Sequence, residues 1–356
     1  MNQMKRKVLI LYTELAAYTV ACLREFCQRY QDVEIHLVRW PVNKEAPFTF
    51  SFSNSLKIYE RNQFDSNGLK KLAKSINPDI ILCSGWIDKD YVSVCREWES
   101  KITVVVVMDN KWTGSWKQHI LKWTSSFTIR KWFNLAWVTG NLQMEFALKL
   151  GFSDKNIKTG FYSADVQLFM QQYDEAIIEK KVNYPHRFIY VGRYYDFKGV
   201  KELWQAFINF KSKGDNDWEL WCLGTGDIAP ASHPFIKHFG FIQPEEMTNL
   251  MKQCGVFILP SRFEPWGVVA HEFSAAGFPL LLSDQVGAAE SFLEDGKNGF
   301  LFKANDTNAI ESVFEKISNC SDEELIKMGK VSNQKAKLIT PQLWAETLFS
   351  LIEIRL

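Results

Sequence analysis

The chain has 356 residues, more than a single α/β core usually contains, so two domains are expected. Its hydrophobic fraction of 46% and charged fraction of 23% are those of a globular protein and exclude an extended disordered one. The formal net charge of +1 provides no global field for nucleic acid, so no nucleic-acid partner is expected, and any anionic ligand must be held by local groups.

In the first half of the chain, short apolar runs alternate with longer amphipathic stretches. The runs are rich in Val and Ile and mostly continuous, as strands covered on both faces are; they lie at 8–12, 33–38, 80–83, 102–108 and 136–139. Helices are predicted between several of them, for example at 19–29 and 142–150. Alternation of strands and helices predicts a doubly wound parallel sheet.

The second half repeats this pattern. Buried strands are predicted at 188–191, 220–223, 256–259 and 279–282. The predicted fold class is therefore α/β, with two Rossmann-like parallel-sheet domains that face each other across a cleft. We expect one domain at 1–170, a second at 171–340, and a C-terminal helix at 341–356 that returns towards the first domain. Ligands of such sheets bind beyond the carboxyl ends of the strands.

Neither a membrane span nor a metal site is expected. The first apolar run, 8–12, is far too short for a signal peptide or a spanning helix, and no later run approaches the roughly 20 residues that a span needs. The seven cysteines show no spacing typical of zinc and are interpreted as buried thiols. These features predict a cytoplasmic protein.

A loop bounded by glycines follows the predicted strand at 188–191. It reads Gly-Arg-Tyr-Tyr-Asp-Phe-Lys-Gly over 192–199 and precedes a helix. Backbone N–H groups of such a loop and the helix N-terminus can hold an anion. Arg193 can fork onto phosphate oxygens, and Lys198 can add a point charge. The alternative is a solvated, charged loop.

The segment 260–272 follows the third predicted strand of the second half and is the most informative part of the chain. Pro265 disfavours a helical conformation for the residue before it, so Glu264 is predicted to lie in the loop. The next helix is predicted to begin near Trp266 or Gly267 and to present free N–H groups.

On that helix, Val269, Phe273 and Ala276 form the predicted buried stripe. Glu272 lies about 60° from the centre of the stripe, so its carboxylate needs partners. Either it holds a neighbouring backbone segment, or it accepts hydrogen bonds from ligand hydroxyls. His271 is predicted to point away from the stripe, as a surface histidine.

Together these segments resemble the retaining glycosyltransferases of family 4, which have the GT-B architecture. Glu264 and Glu272 match the family's signature of two glutamates separated by seven residues. The family's other short motifs are similar, in order, to segments at 164–169, 192–199, 224–226, 240–242, 283–290 and 295–301. The resemblance extends from about 137 to the C-terminus.

The resemblance also implies residue roles. The implied catalytic residues are Glu264, which contacts the donor sugar, and Arg193 and Lys198, which bind the diphosphate leaving group. The implied donor-binding residues are Glu272 at the nucleotide ribose, the backbone of Trp266, Gly267 and Val268, and Gly224, Gly226, Phe241, Ile242 and Asp109. No metal and no cofactor are implied, because the nucleoside-diphosphate sugar is a substrate. Domain 1–170 is then the acceptor-binding domain and 171–340 the nucleotide-sugar-binding domain.

The first domain departs from the family pattern at two loops. The segment 13–18 contains no glycine, whereas many members have a pair of glycines there. After the strand at 102–107, where members often have a histidine, this chain has Met-Asp-Asn. Asp109 is interpreted either as a ligand for sugar hydroxyls or as a helix cap.

Basic and aromatic residues are interleaved at 111–133, and this segment contains no Asp or Glu. The mixture suits a membrane interface, beside which a lipid-linked acceptor would lie and at which the protein would be peripheral. An aromatic platform for sugars and ordinary core packing are the alternatives.

The predicted function is that of a retaining, metal-independent glycosyltransferase for polysaccharide biosynthesis, acting from a nucleoside-diphosphate sugar onto a glycan or lipid-linked acceptor. A non-catalytic sugar-nucleotide-binding or scaffold subunit of a glycan assembly complex is the alternative. Intact Glu264, Arg193 and Lys198 favour the enzyme.

Overall fold

The computed structural model describes residues 5–42, 56–244 and 246–354. The chain forms two compact units. The first consists of Met1–Ser163 together with Pro341–Leu356, and the second of Ala164–Thr340.

The described part of the first unit contains a seven-stranded parallel sheet. Its strands are β1 (Arg6–Tyr12), β2 (Val33–Arg39), β3 (Leu56–Glu60), β4 (Ile80–Ser84), β5 (Thr103–Met108), β6 (Leu135–Val138) and β7 (Ile157–Lys158). Their order across the sheet is β3-β2-β1-β4-β5-β6-β7. The inner strand β5 is buried along its whole length, as its run of four valines predicts.

Helices cover both faces of this sheet. They are α1 (Ala17–Arg29), α2 (Ser66–Ile76), α3 (Lys89–Trp98), α4 (Trp116–Thr124), α5 (Ile129–Trp132) and α6 (Asn141–Lys149). On one face, Leu23 and Phe26 of α1 join a core with alternate side chains of the strands. On the other, Leu69 of α2, Tyr91 of α3 and Phe146 of α6 join a second core.

The described part of the second unit contains a six-stranded parallel sheet. Its strands are β8 (Arg187–Val191), β9 (Glu219–Leu223), β10 (Ile236–His238), β11 (Val256–Leu259), β12 (Leu280–Ser283) and β13 (Gly299–Phe302), in the order β10-β9-β8-β11-β12-β13. Its helices are α7 (Val166–Val182), α8 (Val200–Ser212), α9 (Thr248–Lys252), α10 (Val268–Ala275), α11 (Ala289–Phe292), α12 (Thr307–Ser318) and α13 (Asp322–Ala336).

The last helix, α14 (Pro341–Glu353), lies in the first unit and packs on α1. Trp344, Leu348 and Leu351 are buried in the same core as Phe26. Arg29 of α1 forms an ion pair with Glu346 at 2.7 Å. The first unit is therefore completed by residues from both ends of the chain.

Strand order reverses direction once in each sheet, between the neighbouring strands β1 and β4 in the first and β8 and β11 in the second, because the chain crosses over from β3 to β4 and from β10 to β11. Loops that leave neighbouring strands in opposite directions open a crevice at such a point, beyond the carboxyl ends of the strands. In the second unit, the two loops beside this crevice are 192–199 after β8 and 260–267 after β11.

The two sheets confirm the predicted parallel α/β fold class, and each of the nine predicted strands is present with small shifts in its bounds. The four strands that the sequence did not predict are β3, β7, β10 and β13. The charged stretch at 174–181, where apolar periodicity fades in the sequence, lies within α7. In the described residues, no helix combines the length and the apolar character that crossing a bilayer requires.

Candidate functional site

The loops after β8 and β11 approach each other backbone to backbone. A short 3-10 turn at Asp196–Lys198 ends at Gly199, which has a φ of 69°. A Cβ at Gly199 would lie 2.3 Å from the carbonyl oxygen of Pro260. Only glycine combines the left-handed conformation with this close approach, so the Lys-Gly pair is needed to bring the two loops together.

Lys198 and Glu264 form an ion pair across these loops. The Ser261 hydroxyl donates a second hydrogen bond, of 3.1 Å, to the same carboxylate oxygen. Both charged side chains are mostly buried, and a partly buried pair gains more from its Coulomb attraction than a solvated one. Two of the three residues with implied catalytic roles are therefore in direct contact.

Gly267 shapes the start of α10. It precedes the helix with a φ of 94°, and a Cβ there would lie 2.9 Å from Cγ of Glu264. The helix begins at Val268, close to the predicted start, and its first N–H groups lack intrahelical partners. The Glu264 carbonyl accepts a 3.0 Å hydrogen bond from Gly287, which ties the loop to the segment after β12.

Glu272 lies on α10 and is partly buried. Burial, aided by the negative charge of Asp165, raises the pKa of its carboxyl group to about 7. Among the described residues, no backbone N–H group donates a hydrogen bond to this carboxylate. This observation favours the second interpretation from the sequence, in which the carboxylate receives ligand hydroxyls.

His271 is fully buried, so its prediction as a surface histidine is wrong. Its Nδ1 accepts a 3.1 Å hydrogen bond from the backbone N–H of Ala164, and its Nε2 donates a 2.9 Å bond to the carbonyl of Ala336. Burial lowers its pKa to about 4, so the ring is neutral at pH 7.

The prediction of a single buried stripe on α10 is also incomplete. One physical reason explains both this result and the burial of His271. The helix packs against both α7 and α13, so most of its circumference is covered. Phe273 and Ala276 are buried as predicted, but Val269 is only partly buried, while Ala270 and Ser274 are buried as well.

Arg193 lies in the loop after β8 with its side chain over the ring of Tyr195, 5.6 Å from the ring centroid. Its carbonyl oxygen accepts a 3.0 Å hydrogen bond from the Tyr190 hydroxyl. The backbone of this residue is therefore anchored to β8, and its guanidinium is held by an aromatic face.

The remaining donor-binding candidates of the second unit follow β9, β10 and β11. Gly224 donates a 2.7 Å hydrogen bond to Gly240, which joins the loops after β9 and β10 next to Phe241 and Ile242. A Cβ at Gly226 would lie 2.6 Å from the carbonyl oxygen of Tyr194, which links this loop to the one after β8. The Trp266 side chain is buried, and its indole N–H has no hydrogen-bond partner among the described residues.

Arg262 is a contributor that the sequence analysis missed. It forms ion pairs with Asp196, at 2.7 Å, and with Glu202 of α8. Its backbone N–H donates a 2.8 Å hydrogen bond to Phe197. Arg262 therefore fastens the loop after β11 to the loop after β8. Its position two residues before Glu264 was the available signal, but its partners are distant in sequence.

Asp109 belongs to the first unit and directly follows β5. It does not cap a helix, because α4 begins at Trp116 with Ser115 as its N-cap, so that interpretation is wrong. Its negative charge adds to the effect of burial in raising the pKa of Tyr18 and Tyr162.

Two cavities in the described residues lie away from these loops. One, of about 500 Å³, runs along Lys201 and Trp204 of α8 and the segment 227–231. The other, of about 570 Å³, lies at the amino end of β5 and includes Lys101 and Thr103. Neither is lined by a residue proposed to bind the donor, and no described group of three or more His, Cys, Asp or Glu is arranged to hold a metal.

A family model matches part of the chain. The family model described as Glycosyl transferases group 1 matches residues 173–335, a range that contains both loops, Glu264 and Glu272. The matched range lies entirely within the second unit.

Curated relatives match parts of the chain. An uncharacterized glycosyltransferase of Methanocaldococcus jannaschii is 31% identical over 142 residues, which cover 39% of each protein. The capsular polysaccharide biosynthesis glycosyltransferase CapM of Staphylococcus aureus is 30% identical over 202 residues, covering 53% of this chain and 50% of CapM. The chain thus matches half or less of the length of these relatives.

Solved structures match nearly the whole chain. A glycosyltransferase from Rickettsia africae superposes with a TM-score of 0.72 at 13% identity, over 98% of both chains. Anabaena HepE, solved in complex with UDP and glucose, superposes with a TM-score of 0.69 at 15% identity, over 97% of this chain and all of that chain. At these identities the similarity establishes the fold, which is of the GT-B type.

Proposed function

We propose that this chain is a retaining glycosyltransferase of the group 1 glycosyl transferase family, whose model matches it over residues 173–335. Its donor is a nucleoside-diphosphate sugar, and its acceptor is a glycan or a lipid-linked glycan precursor. The observation on which this proposal chiefly depends is the contact between Lys198 and Glu264, which joins the loops after β8 and β11 at the reversal point of the sheet.

The diphosphate is the part of the donor that the second unit is best equipped to bind. Lys198 and Arg193 lie on one loop and can place two cations against its oxygens. Negative charge on the diphosphate grows as the glycosidic bond breaks, and fixed cations stabilise that charge without reorganising. We therefore propose metal-independent chemistry, in which protein cations fill the electrostatic role of a metal ion.

Glu264 has two roles in this proposal. Its carboxylate forms an ion pair with Lys198, which keeps a mostly buried ammonium paired. When the donor binds, Lys198 turns to the diphosphate, and Glu264 accepts hydrogen bonds from hydroxyls of the donor sugar. The N–H groups at the start of α10, from Trp266 to Val268, contact the same sugar.

Glu272 is proposed to bind the ribose. A carboxylate can accept hydrogen bonds from two neighbouring hydroxyls at once, and this one has no competing backbone partner among the described residues. Gly224, Gly226, Phe241 and Ile242 are proposed to line the nucleotide, where the glycines let the backbone approach closely. Asp109 is proposed to contact donor sugar hydroxyls.

The transition state is expected to resemble an oxocarbenium ion. Because Glu264 is proposed to accept hydrogen bonds from the sugar hydroxyls, we assign it no nucleophilic role. Retention is proposed to follow from attack of the acceptor on the face that the diphosphate leaves, with the departing phosphate taking the acceptor proton.

The donor and acceptor classes draw support from the relatives. HepE was solved with UDP and glucose, and CapM takes part in capsular polysaccharide biosynthesis. We therefore propose a uridine diphosphate hexose as the first donor to test and a role in polysaccharide assembly. We further propose that the protein is cytoplasmic and peripheral to the membrane. Residues 1–170 are proposed to bind the acceptor, and residues 171–340 are proposed to bind the donor.

The deciding measurement is a thermal-shift panel of nucleoside diphosphates and nucleotide sugars without added metal, on the wild type and on Glu272→Gln. A ligand at a hundredfold excess over its Kd stabilises the folded state by about 2.7 kcal/mol, which raises the melting temperature by several degrees. We expect a shift with one base, and a Kd raised about tenfold or more in Glu272→Gln, because a hydrogen bond to a charged group contributes about 1.5–3 kcal/mol.

Glu323→Gln is the matched control, because it removes an exposed carboxylate from α13 without touching either loop. It should bind nucleotide as the wild type does. Absence of any shift in the wild type would refute the proposed donor site. Binding without donor hydrolysis or transfer would instead indicate a non-catalytic, nucleotide-binding subunit.

A further inference from the structure

Helix α4 has an apolar face turned towards solvent. At 100° per residue, Trp116, Ile120 and Trp123 lie within about 60° of one another around the helix. Their side chains are 68%, 52% and 82% exposed, and Phe127 in the following 3-10 turn is 81% exposed. A helix on the surface of a globular domain normally turns polar residues outwards, so this arrangement is reversed.

The opposite side of α4 is attached to the body of the first unit. Leu121 packs against the core that contains Phe146. The amide of Gln118 donates a 2.8 Å hydrogen bond to the carbonyl of Lys111 and accepts a 2.7 Å bond from the N–H of Thr113. Ser125, just after the helix, is buried and donates a 2.6 Å bond to the carbonyl of Leu150. The apolar face is thus held outwards by contacts on the inner face.

Cations flank the apolar face. Lys117 lies about 100° to one side of Trp116 and Lys122 about 120° to the other, and both are exposed, as is Lys131. None of these three lysines forms an ion pair with a carboxylate in the described residues. The segment 111–133 contains no Asp or Glu. An apolar strip between unpaired cations therefore faces solvent.

We infer that the outward face of α4 and the turn after it binds the surface of an anionic membrane. The helix lies in the plane of the interface, Trp116, Ile120, Trp123 and Phe127 enter the boundary between headgroups and acyl chains, and the lysines contact anionic headgroups. Trp side chains favour this depth because their rings are apolar and their N–H groups reach polar partners. The role of this membrane binding rests on the proposed function, because binding brings the enzyme to lipid-linked acceptors.

Charge favours a lipid surface over a second copy of the chain. A two-fold symmetric dimer through this face would pair the same patch with itself, so unpaired lysines would meet lysines. An anionic bilayer offers the complementary charge, and each lysine near its surface contributes about a fivefold gain in affinity.

The test is flotation of the full-length protein with phosphatidylcholine vesicles that contain or lack phosphatidylglycerol. The wild type should float with the anionic vesicles and far less with pure phosphatidylcholine. The triple variant Trp116→Ser, Trp123→Ser, Phe127→Ser should lose binding by tenfold or more, because its apolar area no longer enters the interface. The double variant Lys117→Gln, Lys122→Gln lacks two of these lysines, at about fivefold each, so its binding to anionic vesicles should be weaker by about 25-fold.

Matched controls are available on other helices. Ile178→Ser with Val182→Ser removes exposed apolar side chains from α7, and Lys327→Gln with Lys330→Gln removes two exposed lysines from α13. Both should float as the wild type does. Equal flotation of the triple variant and the wild type would overturn the inference. It would also be overturned if the wild type formed dimers that do not float and the triple variant did not form these dimers. Flotation needs neither nucleotide nor transfer, so its failure is distinct from failure of the proposed donor site.

Discussion

In the second unit, the pKa values of individual side chains depend more on burial than on the neighbouring residues in the sequence. Glu272 and His271 are adjacent on α10, yet burial raises the pKa of the carboxyl to about 7 and lowers that of the imidazole to about 4. Desolvation disfavours the charged form of both groups, which explains the opposite directions. The histidine has two backbone partners and a structural role, whereas the glutamate has no backbone partner among the described residues.

The first prediction concerns His271 and pH. Its folded pKa of about 4 lies below its ordinary value of 6.5, so the unfolded chain binds the extra proton in that window. The stability that the neutral ring contributes is complete above pH 6.5 and is lost as pH falls towards 4. His271→Gln keeps a donor and an acceptor but does not titrate.

The difference between the free energies of unfolding of the wild type and His271→Gln, measured by urea denaturation, should therefore change with pH. Lowering the pH from about 7 to about 5 should shift the difference in favour of the glutamine variant by about 2 kcal/mol. A difference that is constant over this range would contradict the burial and neutrality of the ring.

At the scale of elements, the site depends on loops after two paired strands. Glycine conformations allow the contact, since Gly199 and Gly267 both have positive φ and no room for a Cβ. Arg262 then fastens the loops together through Asp196 and Glu202. The loops that carry the proposed diphosphate-binding residues are thus joined by ion pairs that the individual motifs do not reveal.

The second prediction tests this fastening. Arg262→Met should raise the Kd for nucleoside diphosphate about tenfold, because the loop of Arg193 and Lys198 is no longer held against the loop of Glu264. It should also lower stability by roughly 1–3 kcal/mol, since Glu202 is left mostly buried and unpaired.

Calorimetric titration and urea denaturation separate the two effects. Arg262→Met combined with Glu202→Gln should recover stability but not nucleotide affinity, which is the signature of a positioning role. Arg187→Met breaks a comparable pair with Glu219, 3.1 Å long, at the opposite ends of the strands and should leave affinity unchanged. Wild-type affinity in Arg262→Met would show that the loops hold their positions without this residue.

Across the whole molecule, both units use the same strand order around one reversal point. The chain leaves the first unit after Ser163 and returns to it at Pro341. The returning helix α14 supplies core residues, since Trp344 is buried with its ring 5.1 Å from that of Trp137. Residues almost the full length of the chain apart therefore stabilise one core.

The third prediction follows from this closure. Trp344→Ala should lower the free energy of unfolding of the first unit by about 3–5 kcal/mol, as removal of a buried aromatic side chain does. Leu343→Ala, on the exposed side of the same helix, should change it by about 0.5 kcal/mol or less. Urea denaturation followed by circular dichroism compares the two, and equal midpoints would show that α14 adds little to the core.

The sequence by itself determined the fold class, the nine inner strands and the positions of the glycines. Inner strands of a parallel sheet are covered on both faces, so the sequence of each one is a continuous apolar run. The four strands that were not predicted, β3, β7, β10 and β13, are the two edges of each sheet. Edge strands pair on one side only, and three of these carry polar residues, as Ile236–His238 does, so their sequences lack that pattern. The fourth, β13, reads Gly-Phe-Leu-Phe and was missed although it is apolar.

Only the tertiary structure decided which side chains meet. Lys198 and Glu264 are 66 residues apart, and Arg262 and Glu202 are 60 residues apart, so neither pair is visible in local spacing. His271 became buried because α7 and α13 cover both sides of α10, and Trp123 stayed exposed because α4 is covered on one side only. Local sequence encodes backbone preference and periodicity, whereas burial and charge pairing depend on what other elements cover, which is a property of the assembled fold.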